Sequence, residues 1–221
     1  MATKTNPSAS KKSAASAKAV KTAKAYQPAP PRPAKPAPGD PTRRVGLMEL
    51  GGKPATILGD DVQVGRKAPA FTGQVGVWPG FDMWTDLEPL AATAGKVRIL
   101  AAVPSLDTPT CDTETKRFNA EAAHLGEGIV IITLSTDLPP TQRRWCGTAG
   151  VNKVVTVSDH MATDFGIKYG LVMAERRWLR RAVFVVGPDD VLRYVAYMPK
   201  NADQPDYEAV IAAARAALAA K

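Results

Sequence analysis

Two cysteines and two histidines among 221 residues leave little material for a disulfide framework or a metal centre. A structural zinc site wants four ligands at short paired spacings. Here Cys111 and Cys146 stand far apart, and His124 and His160 sit in no partner motif that would mark a zinc site or a Cys-His hydrolase. No apolar run approaches the ~20 residues that cross a bilayer, and the N-terminus lacks the ~7–15-residue apolar core of a secretory signal. Neither common glycine-rich phosphate loop is present. These absences lead to the expectation of a soluble, cytoplasmic protein without a membrane span, its thiols free, metal-bound or catalytic rather than bridged for structure.

The net charge of +8 invites a nucleic-acid reading until it is divided along the chain. Residues 1–44 hold ten of the 29 Lys and Arg against one of the 21 acids, so the remainder, 45–221, is close to neutral. That first segment is built from Ala, Lys, Ser, Thr and Pro, with seven prolines between residues 27 and 41. It cannot bury enough surface to offset the entropy of ordering, and it is expected to be a disordered tail with a semi-stiff proline spacer. Three roles are open to it: a solvated tail, an anchor to nucleic acid or a membrane surface by counterion release, or a cleaved targeting peptide. The preference for Lys over Arg speaks against the last.

From Val45 the pattern is that of one α/β domain. "VGLMELGGKPATILG" predicts a hairpin turning at Gly51-Gly52. The runs 97–103 and 128–135 predict strands buried on both faces, and 154–157 a third. Helices are predicted over 111–125, over "PPTQRRWCG" with Gly147 as its stop, near 160–168, and over "PDYEAVIAAARAALAA". "AVFVVGPDDVLRYVAY" predicts a second hairpin turning at 187–190. Strands alternating with helices, plus a late antiparallel hairpin, describe a mixed central sheet flanked by helices.

Cys111 stands within "PSLDTPTCDTETKRFN". On a helix starting there, 111, 115, 118, 122 and 125 share one face, which makes the cysteine a small apolar core residue. Three features point instead to chemistry. The helix follows a buried parallel strand, and open α/β sheets place their sites beyond the carboxyl ends of strands. Thr108 then Pro109 reads as an N-cap followed by a first-turn proline, so Cys111 falls where backbone N–H groups and the helix dipole favour an anion. Arg180-Arg181 stands at the head of the strand "AVFVV", and alternation sends only one of the two toward a given face. Cys146 is either a partly buried helix-end residue or the partner of an oxidised Cys111. That pairing needs Cα atoms within ~4.4–6.8 Å, so one or both helix ends unwind. The acids Asp112, Glu114, Asp137 and Asp159 read as caps and solvated faces.

These residues carry a resemblance. "VPSLDTPTCDTETKRFN" is similar to the active-site segment of the thiol peroxidase branch of the peroxiredoxins, whose pattern P-x-x-x-[TS]-x-x-C is met by Pro104, Thr108 and Cys111. The likeness continues through "STDLPPTQRRWCG", "VVTVSDH", "FGIKYG", "RRAVFVV" and "PDYEAV", over nearly all of 45–221. It departs at Pro140-Thr141, where the family has an aromatic and a small residue, and in the arginine-rich stretch before Arg181. The resemblance implies a thioredoxin-like fold, usually a homodimer, that reduces hydrogen peroxide and organic hydroperoxides without metal, haem or flavin. It implies that Cys111 becomes a sulfenic acid, that Thr108 hydrogen-bonds the sulfur and peroxide, that Pro104 shields the pocket, and that Arg181 stabilises the thiolate and departing oxygen. It further implies that Cys146 closes an intramolecular disulfide reduced by thioredoxin or a similar dithiol protein. The alternatives are a redox sensor whose tail engages nucleic acid, and an inactive thioredoxin-fold interaction protein.

Overall fold

The computed structural model describes Met1–Ala2 and residues 39–220. The disorder expected of the tail therefore falls largely outside the described residues. In chain order the elements are β1 (Arg43–Leu50), β2 (Lys53–Leu58), β3 (Gly73–Val77), β4 (Asp86–Leu87), α1 (Pro89–Ala92), β5 (Val97–Ala102), α2 (Pro109–Ala122) and β6 (Ile129–Ser135). They continue with α3 (Pro139–Ala149), β7 (Val155–Ser158), α4 (Asp164–Lys168), β8 (Val172–Met173), β9 (Trp178–Leu179), β10 (Ala182–Val186), β11 (Leu192–Tyr197) and α5 (Tyr207–Ala219). β1 begins at Arg43, two residues ahead of the change in composition.

Among the described residues the main sheet runs β11-β10-β5-β6-β7-β3-β4. Its centre, β5-β6-β7, is parallel, and β10 and β3 flank it antiparallel. All six residues of β5 are buried, as a strand covered on both faces requires. The period of two divides them. Val97, Ile99 and Ala101 join Val183 and Val185 under α2, α3 and α5. Leu100 and Ala102 join Ala182, Phe184, Phe165 and Tyr169 on the opposite face. Arg98 breaks the apolar run, yet it is fully buried: it pairs with Asp190 and donates to the Gly187 carbonyl at 2.9 Å. It thereby pins the β10–β11 turn.

The hairpin β1–β2 forms as its sequence predicts, but it does not stand alone. β2 pairs with β8 and β8 with β9, giving a second, four-stranded antiparallel sheet. Two-residue strands such as β8 and β9 are too short to show a period. β3 was also hidden, because "GQVGV" is broken by Gly76, where a Cβ would run into Gln142 and Thr156. α3 does not stop at Gly147. It runs to Ala149 and ends on Gly150, whose φ of 68° is the left-handed conformation that glycine adopts freely. Cys146 consequently lies in the last turn of α3, its carbonyl accepting from Val151 N–H at 3.0 Å. Among the described residues no helix is long and apolar enough to cross a membrane.

Candidate active site

β5 delivers the chain through a buried Pro104 into a short loop, and α2 starts at Pro109 with Thr108 in the N-cap position. Thr108 has the extended backbone of a cap (φ −93°, ψ 144°), but its side chain does not cap the helix. The hydroxyl lies 2.8 Å from Cys111 Sγ and 3.1 Å from the Ser105 carbonyl. It has one proton for two acceptors, so the bond to sulfur forms when the sulfur is the better acceptor, that is, as the thiolate.

Cys111 is fully buried at the third helical position, where backbone N–H groups have no partner inside the helix. Arg181 reaches it from the head of β10. Its parity with Val183 and Val185 turns it toward α2, and Nη2 donates to Sγ at 3.1 Å. The same guanidinium pairs through Nη1 with Glu114 and donates from Nε to the Asn201 carbonyl at 3.0 Å. One planar fork thus meets three acceptors, a geometry open to Arg and closed to Lys. Arg180 goes the other way. It pairs with Asp61, donates to the Gly170 carbonyl at 2.9 Å and stacks over Tyr197 at 4.0 Å.

Glu114 corrects the reading of the acids as caps and solvated faces. It is 0% exposed, and burial pushes its carboxyl up to about 7 against the opposing pull of Arg181. The i, i+3 spacing from Cys111 is the signal that places it on the buried face. Asp137 is also no solvated acid: its carboxylate accepts from Ser105 Oγ, Leu106 N–H and Ser135 Oγ, each at 2.8 Å. Asp112 does face solvent, paired with Lys116 at 2.9 Å.

Asp159 caps α4 from a buried position, accepting from Phe165 N–H at 3.1 Å and Gly166 N–H at 2.8 Å, and burial raises it to about 7. A carboxyl raised in the folded state holds its proton more tightly there than when unfolded. Its contribution is therefore lost as pH rises from about 4 to about 7. The Asp159→Asn protein lacks this loss. Its melting temperature relative to the wild type is expected to rise by roughly 5 °C across that window, measured by calorimetry at fixed ionic strength.

Cys146 belongs to the same buried apolar cluster as Cys111, and both thiols are free. Burial pushes Cys146 up to about 11, opposed by a hydrogen bond with Thr156 of β7. Cys111 is held by Arg181 from the head of β10, whereas Cys146 lies on α3, which packs over β3 and β7. Among the described residues no three His, Cys, Asp or Glu side chains gather as a metal site. His160 instead shares a 2.9 Å bond between Nδ1 and Ser158 Oγ.

A family model described as Redoxin matches residues 63–211. The chain is 46% identical over 169 residues to a thiol peroxidase of Halalkalibacterium halodurans, covering 76% of this chain and 96% of that protein. It is 42% identical over 167 residues to a thiol peroxidase of Bacillus subtilis, covering 75% and 94%. A peroxiredoxin-like protein from Aquifex aeolicus superposes with a TM-score of 0.67 at 30% identity, over 78% of this chain and 98% of that one. A thiol peroxidase from Chromobacterium violaceum gives 0.66 at 15% identity, over 79% and 98%, a likeness of fold.

Proposed function

Since the chain belongs to the Redoxin family and is a thiol-dependent peroxidase of thioredoxin-like fold, we propose that Cys111 is the residue that attacks the peroxide, with Arg181 and Thr108 as its catalytic partners. One observation carries this reading: among the described residues, the side chains hydrogen-bonded to Cys111 Sγ are a buried cation at 3.1 Å and a hydroxyl at 2.8 Å. The thiolate attacks the terminal hydroxyl oxygen of R–O–O–H and forms an S–O bond, the O–O electron pair leaves on the other oxygen, and Cys111 becomes a sulfenic acid while RO⁻ takes a proton to leave as ROH. Negative charge moves from sulfur to the leaving oxygen. Donors already fixed around that path lower the barrier more than they stabilise the resting state. Pro104, buried where the loop leaves β5, helps to shield the sulfur from water. A cavity of about 500 Å³ whose lining includes Met48, Leu50 and Pro199 also touches Asn201, the residue that holds Arg181.

Cys146 is then the resolving residue. Its thiol attacks the sulfenic sulfur, water leaves, and a Cys111–Cys146 disulfide forms for reduction by thioredoxin or another dithiol protein. Buried and protonated, Cys146 is inert where it sits, and each sulfur is held in its own helix, Cys111 in the first turn of α2 and Cys146 in the last turn of α3, so closure requires a helix end to open. The Cys146→Ser protein is expected to reduce its first equivalent of hydrogen peroxide within about threefold of the wild-type rate, and to lose dithiol-supported turnover by about 10²-fold or more. Stopped-flow fluorescence reads the first turnover and coupled reductant oxidation the second. Unimpaired turnover in that variant contradicts the assignment of Cys146.

A further inference from the structure

Asp137 stands outside the chemistry just described, yet it joins the two segments that carry the sulfurs. It sits between β6 and α3, and its carboxylate accepts from Ser105 Oγ and Leu106 N–H, both in the loop that leads into the Cys111 helix. The Ser105 carbonyl is the acceptor that competes with Cys111 for the Thr108 proton. On its other side Asp137 accepts from Ser135 Oγ, and Ser135 Oγ in turn accepts from Gln142 Nε2 at 3.0 Å. Gln142 is fully buried, also donates to the Val157 carbonyl at 3.1 Å, and lies one helical turn before Cys146 on the same face of α3. An unbroken chain of hydrogen bonds therefore runs from the Cys111 loop through Asp137, Ser135 and Gln142 into the Cys146 helix.

We infer that Asp137 is a positioning residue that latches these two helix starts together: it holds the Cys111 loop in its peroxide-reactive form and must let go before the disulfide closes. This inference rests on the reading of Cys146 as the resolving residue. The latch acts with opposite sign on the two steps. Before oxidation it keeps Ser105 and Thr108 in place around the thiolate. After oxidation it resists the unwinding that brings Cys146 to the sulfenic sulfur, and so lengthens the time in which a second hydroperoxide can oxidise that sulfur to the sulfinic acid. A residue that merely stabilised the fold would slow both steps or neither.

The test compares wild type with Asp137→Asn, a substitution that keeps the shape but turns an amide NH₂ toward donors that need an acceptor. Stopped-flow fluorescence of Trp145 and its neighbours, after addition of excess hydrogen peroxide, separates oxidation from disulfide closure. The expected result is an oxidation rate constant lower by about tenfold and closure faster by about fivefold, with less sulfinic acid by mass spectrometry at a given peroxide concentration. Unchanged rates, or closure that is also slower, overturn the latch. A wild-type protein that forms no Cys111–Cys146 disulfide overturns the underlying reading instead, and mass spectrometry of the wild type shows this separately. If Asp137→Asn does not fold, Ser105→Ala removes one of the three bonds and is expected to shift both rates in the same directions by about threefold, with unchanged rates again contradicting the latch.

Discussion

Peroxide reduction by the Cys111→Ser protein is expected to fall by at least about 10³-fold, while its fold and melting temperature stay close to those of the wild type. Serine fills nearly the same fully buried space and can take the hydrogen bonds from Thr108 and Arg181, so packing around position 111 is preserved. Only the proposed nucleophile is lost. A hydroxyl buried beside a guanidinium has no access to the easily deprotonated, polarizable state that makes sulfur reactive toward an O–O bond. A decrease of less than tenfold, read as peroxide consumption with a dithiol reductant in excess, contradicts the assignment.

Loss of Arg181 is expected to have the next largest effect, and its interpretation needs two variants. Arg181→Ala removes a donor from the sulfur and leaves Glu114, 0% exposed, without the guanidinium that pairs with it. Breaking a buried ion pair in this way costs about 3–5 kcal/mol, enough to confuse a catalytic effect with unfolding. The double variant Arg181→Met with Glu114→Gln takes out both charges and restores a foldable interior, and its second-order rate with peroxide is still expected to be about 10²–10³-fold below wild type. Arg181→Lys is expected to recover little, since one ammonium cannot serve Cys111, Glu114 and the Asn201 carbonyl together. A double variant that folds and reacts at the wild-type rate shows that Arg181 serves packing alone.

The sequence speaks clearly where a residue's neighbours along the chain are also its neighbours in space. β5 and β6 are legible as unbroken apolar runs because both faces of each strand are covered. Cys111 is legible because a strand end, Thr108 and Pro109 mark the first turn of α2 without reference to anything distant. The roles of Arg180 and Arg181 follow from parity once β10 is placed: 181 shares a face with 183 and 185, whose side chains lie under α2 and α5. The likeness in sequence pointed to the same arginine by a different route.

What was hidden depends on contacts between segments far apart in the chain. Glu114 looks like a surface acid beside Asp112 until Arg181, 67 residues later, is seen to meet it. Asp137 looks like a turn residue until the loop at Ser105 and Leu106 is folded against it. Thr108 occupies the cap position that its sequence signals, yet its hydroxyl is drawn away from the helix by a sulfur and a carbonyl. α3 continues past Gly147 for a local reason. Gly147 is tolerated inside a helix at a cost of about 1 kcal/mol, whereas the left-handed turn at Gly150 requires a residue that can adopt it.

Trapping the first oxidation product identifies the residue that meets the peroxide. In the Cys146→Ser protein, one equivalent of hydrogen peroxide followed by a sulfenic-acid-specific reagent such as dimedone is expected to give one adduct per chain, located by peptide mass spectrometry on Cys111. The Cys111→Ser protein treated in parallel is expected to give none. Peroxide consumed by the first protein without modification of Cys111, or an equal yield of adduct on Cys146 in the second, contradicts the claim that Cys111, held by Thr108 and Arg181, is the residue that attacks the peroxide.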